Sequence, residues 1–242
     1  MKRDYHRWWS PRLGRDMELL VFGHAGARVV VFPARLGRFY DHEDWGLVDA
    51  LRPQVDAGWL QLFCVDGVDA DGLYCGWKGP AARVEHHARY EEYILREVLP
   101  LTAAVNPNPF LIAHGCSLGA YHAVNIALRH PHLFGKVVAL SGRYDLTAPV
   151  GPYRGLFDGH YDDAIYFHTP SHYLPNLSDP AALDPIRRIE VILAVGGDDP
   201  VADNNRHLDR TLRAKGARST LHQWPGVAHN PRAWRSMMSH YL

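Results

Sequence analysis

The sequence is poor in cysteine, with three in 242 residues: Cys64, Cys75 and Cys116. Three thiols are too few, and odd in number, for a disulfide framework. The fold must then rest on its own core, and a reducing compartment, the cytoplasm, is the expected location. There is no charge excess either. Lysine plus arginine and aspartate plus glutamate both number 26, which removes the electrostatic case for a nucleic-acid or anionic-membrane partner. Long apolar runs are missing. Stretches such as Val29–Phe32 fall far short of the roughly 18–20 residues of a membrane span. The segment from Met1 to Trp9 is polar and aromatic, so no secretory leader is expected. Internal repeats and low-complexity tracts are absent.

What is present is ordinary globular chemistry: 47% hydrophobic and 21% charged residues, which excludes wholesale disorder. The length suits one large domain, residues 1–242, able to bury roughly 70% of its unfolded surface. Histidine is abundant, at 16 residues. That count invites a metal site or a pH switch. Yet His86 and His87 are adjacent and diverge on a helix, and no histidine pair with helical ligand spacing has carboxylate or cysteine support. No metal and no other cofactor is expected.

Apolar patterning alternates between strand and helix periods. Strands are expected over Met17–Phe22, Arg28–Phe32, Trp59–Val65, Phe110–His114, Lys136–Leu140, Ile189–Val195 and Ser219–Trp224. Helices are expected over Asp44–Ala57, Arg83 to about Val105, Leu118–Arg129 and Pro231–Tyr241. Pro100 should kink or shorten the second of these. A further helix should start at a capping Asp203 and stop at Gly216. The alternation implies an α/β fold, a mostly parallel twisted sheet with helices on both faces. Residues 146–188 break the rhythm with six prolines before the penultimate strand. Their length predicts an excursion over the sheet edge, a lid or pocket wall.

One motif carries chemistry. Gly115-Cys116-Ser117-Leu118-Gly119 follows a predicted strand and opens a predicted helix, matching the G-x-S-x-G nucleophile elbow. The turn leaves no room for side chains at the flanking glycines, and it projects the serine hydroxyl at a helix N-terminus that favours negative charge. A serine needs a base, and the base an orienting acid. In the order serine, acid, histidine, the acid follows a late strand. Gly196-Gly197-Asp198-Asp199-Pro200 supplies Asp199, with Asp198 as the alternative acid and Asp145 as a lesser candidate. The histidine follows the last strand, and Trp224-Pro225-Gly226-Val227-Ala228-His229 supplies His229. His222, His240 and His114 fit less well, being placed within a strand, in the last helix and in the core. Oxyanion donors are expected at the Leu118 N–H and in the loop after Phe32-Pro33, at Ala34 or Arg35. Activity should fall in acid, because a protonated His229 cannot accept the serine proton.

These residues resemble the putative-esterase branch of the α/β hydrolases, which includes esterase D-like S-formylglutathione hydrolases and mycolyltransferases. The resemblance spans nearly the whole chain. It rests on Phe32-Pro33, Gly115–Gly119, Leu140-Ser141-Gly142, Gly196–Pro200, Trp224–His229 and Trp234. It implies the α/β-hydrolase fold, with Ser117 as nucleophile, His229 as base and Asp199 as orienter, acting on a small-molecule ester or thioester. Asn230 departs from the pattern, since relatives often carry aspartate there. Acyl transfer with the same triad and a non-catalytic binding module on this scaffold are the alternatives.

Overall fold

The computed structural model describes residues 1–242. Eight strands form one sheet: β1 (Arg3–Ser10), β2 (Arg15–Phe22), β3 (Ala27–Phe32), β4 (Leu60–Val65), β5 (Leu111–Cys116), β6 (Lys136–Leu140), β7 (Glu190–Gly196) and β8 (Arg218–Trp224). Their order is β1-β2-β4-β3-β5-β6-β7-β8. β1 and β2 are antiparallel, β2 runs antiparallel to β4, and every later pairing is parallel. β2 and β3 are therefore consecutive without being neighbours, because β4 enters between them.

Period-two alternation sorts the apolar residues onto two faces. Met17, Leu19, Val30, Ala113, Val137 and Val191 face one core, and Leu20, Val29, Ile112, Val138 and Ile192 face the other. The first core is covered by α4 (Pro80–Tyr93), a π-helical turn (Ile94–Val98), α5 (Leu99–Val105), α6 (Leu118–Arg129) and α10 (Ala202–Ala214). The second is covered by α1 (Asp41–Asp44), α2 (Leu47–Ala50), α3 (Arg52–Asp56) and α11 (Pro231–Tyr241). No helix is long and apolar enough to cross a membrane.

Four sequence expectations change. The segment 44–57 is not one helix but a series of short ones from Asp41 to Asp56, broken at Gly46, whose φ is 68°. Its apolar set, Leu47, Val48, Leu51 and Val55, is nonetheless buried. The long helix neither ends nor breaks at Pro100. The preceding turn widens to π geometry instead, at the level where a regular α-helix would set a carbonyl against the proline ring. Asp203 is not a cap. It lies in the exposed first turn of α10, paired with Arg206 at 2.8 Å, while Asp199 Oδ1 accepts the Val201 N–H at 3.1 Å. Finally, β1 is a strand that apolar patterning misses. It is a half-exposed edge whose charged and aromatic residues alternate without a buried stripe.

The 146–188 segment holds α7 (Asp163–Phe167), α8 (Pro170–Asn176) and α9 (Pro180–Arg188). It is packed, not loose. Leu146, Leu156, Phe157 and Ile165 share a small core with Leu118 and Tyr121 of α6. The Tyr121 hydroxyl donates to the His168 carbonyl at 2.8 Å, and Arg129 to the Phe167 carbonyl at 2.8 Å. Glu91 anchors this side by accepting from Arg129 at 3.0 Å and from His130 at 2.9 Å.

Candidate active site

Six parallel strands, β3 to β8, end at the same edge of the sheet, and the loops that follow them converge there, as open α/β sheets place their ligand crevices. After β5 the chain turns directly into α6. Ser117 sits at the turn with φ 56° and ψ −117°, a conformation that costs of order 1–3 kcal/mol and is held only by its surroundings. A Cβ on Gly115 would occupy the Gly119 backbone, and one on Gly119 would occupy the carbonyls of Phe32 and Pro33. The two motif glycines thus let β5, α6 and the β3 loop approach within backbone contact. The Ser117 N–H donates to the Leu140 carbonyl at 2.8 Å, fixing the turn to β6.

His229 follows β8 and hangs from Ala228, itself at φ 48°. Its Nε2 lies 3.0 Å from Ser117 Oγ and its Nδ1 lies 2.8 Å from Asp199 Oδ2. The Asp199 side chain is fully buried. Its second oxygen is occupied by the Val201 N–H, so the carboxylate is fixed at both ends. Trp234 packs against the imidazole, with ring centroids 5.4 Å apart, and its Nε1 donates to Ser141 Oγ at 3.1 Å.

The other candidates are placed elsewhere. Asp198 is exposed and joins the turn through its backbone N–H, which donates to Gly226 O at 3.0 Å. Asp145 binds Thr147 and His172. His222 stacks on Tyr241, and His240 bonds the Ser236 carbonyl. Asn230 accepts the Ala233 N–H at 3.0 Å. It is the N-cap of α11, a role that the aspartate common in relatives would fill equally well.

The loop after β3 presents donors. The N–H groups of Ala34 and Arg35 make no hydrogen bond to another protein atom, and Ala34 shares a cavity of about 240 Å³ with Ser117, Leu118 and His229. The Leu118 N–H is in the first turn of α6, where an intrahelical acceptor is lacking. Asp69 sets the loop: it accepts the Leu36 N–H at 3.1 Å and lies 3.3 Å from His122 Nε2 on α6. Sequence reading missed Asp69, because nothing local marks a buried aspartate as a loop anchor.

Sequence spacing also gave no sign of a cluster below the elbow. His42, His114 and Cys116 are buried with their ligand atoms within 4.8 Å of one another, and they are the set that could hold a metal. His114 Nδ1 donates to the Val138 carbonyl at 2.8 Å. Burial pushes His42 down to about 3 and His114 to about 4, and it raises the Cys116 thiol. Without an ion the three are neutral core groups.

The sequence profile of the family described as Putative esterase matches residues 44–242. No curated protein sequence matches the chain. Among solved structures, a ferulic acid esterase is similar at TM-score 0.76 and 18% identity, over 100% of this chain and 96% of that one. An S-formylglutathione hydrolase from Agrobacterium tumefaciens is similar at TM-score 0.74 and 17% identity, over 99% and 92%. A fluorophosphonate-binding serine hydrolase of Staphylococcus aureus follows at 0.70 and 14%, over 99% and 96%. At these identities the structures show the fold, that of the α/β hydrolases. The family profile reaches across most of the chain, so this protein is a hydrolase and belongs to the putative esterase family.

Proposed function

We propose that Ser117, His229 and Asp199 form a catalytic triad that cleaves a small-molecule ester or thioester through an acyl-enzyme. The observation that carries this reading is the continuous relay from Ser117 Oγ to His229 at 3.0 Å and from His229 to Asp199 at 2.8 Å. The Ser117 hydroxyl attacks the acyl carbonyl while His229 Nε2 takes its proton. Asp199 holds the Nδ1–H tautomer and offsets the charge of the imidazolium. The carbonyl oxygen becomes an oxyanion received by the N–H groups of Leu118 and Ala34. His229 then protonates the leaving alcohol or thiol. A water molecule, deprotonated by His229, attacks the acyl-serine and releases the acid. The chemistry uses only groups of this chain, without a cofactor.

In this reading residues 146–188 supply a pocket wall. Leu146 and Tyr153 line the cavity beside Ser117, and Tyr153 lies 6.0 Å from the His229 ring, centroid to centroid. The three unpaired thiols fit a cytoplasmic enzyme.

A fluorophosphonate probe tests the assignment. Wild type is expected to label in a single position and to lose ester hydrolysis on labelling, whereas Ser117→Ala is expected to do neither. Equal labelling of both would remove Ser117 from the mechanism.

A further inference from the structure

The cavity at Ser117 is lined by charged side chains of one sign only outside the proposed triad: Arg35 and Arg143, with no aspartate or glutamate. A second cavity, of about 390 Å³, shares Arg35, Tyr74, Arg143 and Tyr153 with the first and adds Arg83 and Arg154 against a single acid, Asp158. Four guanidiniums face one carboxylate there, in a chain whose overall charge is balanced at 26 against 26.

Arg143 is the unusual member. It is only 7% exposed, yet no carboxylate pairs with it. Its Nε donates to the Asp145 carbonyl at 2.9 Å, one Nη to the Arg154 carbonyl at 2.9 Å and the other to the Ala148 carbonyl at 2.6 Å. The nearby Asp145 carboxylate is turned to Thr147 and His172 instead. Three of the five guanidinium N–H groups are thereby used and two remain. The carbonyls account for the loop being pinned at Arg143. They do not account for burying a full positive charge beside a cavity, which is costly without an anion. Arg35 lies over the Tyr74 ring at 5.7 Å and likewise pairs with no acid. Arg83 is the one of the four that has a partner, Asp158 at 3.0 Å.

We propose that Arg35 and Arg143 form an anion subsite, and that the substrate is an ester or thioester bearing a carboxylate or phosphate group at a distance from the scissile bond. This rests on the triad reading above and names its substrate class. The planar forks match either anion bidentately. The shared wall of the two cavities places that anion between the reacting carbonyl and the second cavity, which takes the remainder of the substrate.

Matched esters test it. On the leaving side these are 4-acetoxybenzoate and 4-acetoxyphenyl phosphate against uncharged methyl 4-acetoxybenzoate. On the acyl side they are mono-4-nitrophenyl glutarate against 4-nitrophenyl valerate. In at least one set the anionic ester is expected to be favoured by about tenfold or more in kcat/KM, the size of one charge-assisted contact. The preference should lie mainly in KM, shrink with added salt and collapse towards parity in Arg35→Gln and in Arg143→Gln. The carboxylate and phosphate arms tell the two anions apart. Because the readout is a ratio within each variant, general damage to the enzyme cancels, and Arg35→Gln stands alone if Arg143→Gln does not fold. Fluorophosphonate labelling of wild type is run in parallel. No labelling would overturn the serine-triad reading and this inference with it. Labelling together with equal use of charged and neutral esters, or with a preference that both variants retain, would overturn the subsite alone.

Discussion

The carbonyl of Val227 fills the space that a Cβ on Gly196 would need. This contact joins the two loops that carry Asp199 and His229, at the end of β7 and after β8. Backbone bonds complete the joint, from Gly197 N–H to Trp224 O at 2.8 Å and from Asp198 N–H to Gly226 O at 3.0 Å. The 2.8 Å contact between Asp199 and His229 is a consequence of that crossing.

Gly196→Ala should therefore damage activity beyond its cost in stability. The added methyl cannot be accommodated without moving backbone, an overpacking cost of roughly 1–3 kcal/mol. The displaced loop takes His229 out of line with Ser117. Thermal unfolding should show a folded but less stable protein, while the rate of fluorophosphonate labelling drops at least about tenfold. Unchanged labelling would mean that the crossing does not position the histidine.

The neighbouring aspartates should behave oppositely. Asp199→Asn leaves the shape but presents the wrong partner to His229 Nδ1, and kcat should fall by about 10³–10⁴. Asp198→Asn changes an exposed side chain whose backbone makes the turn, and kcat should stay within about twofold. Steady-state kinetics on one neutral ester distinguish them, and equal losses would contradict the placement.

Asp69→Ala should loosen the loop that carries Ala34 and Arg35 by freeing the Leu36 N–H and His122. If that loop supplies an oxyanion donor, kcat falls by about 10- to 100-fold with a smaller change in KM. A loss confined to KM would assign the loop to ground-state binding.

Acid should unfold this protein through its histidines. Burial holds His42 down to about 3 and His114 and His168 to about 4, with His87 also well below its ordinary value. Above the ordinary histidine value of about 6.5, both folded and unfolded states are neutral at these positions and nothing is gained or lost. As pH falls below it, the unfolded chain binds protons that the folded one refuses, so stability drops until the folded-state values are reached. Each group contributes up to about 1.4 kcal/mol per pH unit. Urea midpoints should fall steadily from pH 6.5 to 4, with uptake of several protons on unfolding. A midpoint constant from pH 7.5 to 5 would mean that these side chains are hydrated.

The elbow was legible because its causes are local. Glycine at 115 and 119, a strand before them and a helix after them are all written in adjacent residues, and α6, β6 and α11 have the bounds that the patterning predicts. The order of Ser117, Asp199 and His229 was legible too, since each stands just beyond a strand. The β1 edge, the π turn ahead of Pro100 and the true start of α10 were not, because none leaves a local mark to read: β1 alternates charged and aromatic residues without a buried stripe, a proline signals a break rather than a widened turn, and α10 begins after Val201 with no side-chain cap.

The sixteen histidines mark the same division. The sequence alone determined the alternation of strands and helices, the strained serine and the loop on which His229 lies, because short-range sterics and period suffice for those. The tertiary structure decided which of two adjacent aspartates turns inward, which histidines are buried neutral, and that Arg143 lies unpaired beside the cavity. These depend on burial and on contacts between residues tens of positions apart, which the sheet order creates and no local pattern encodes.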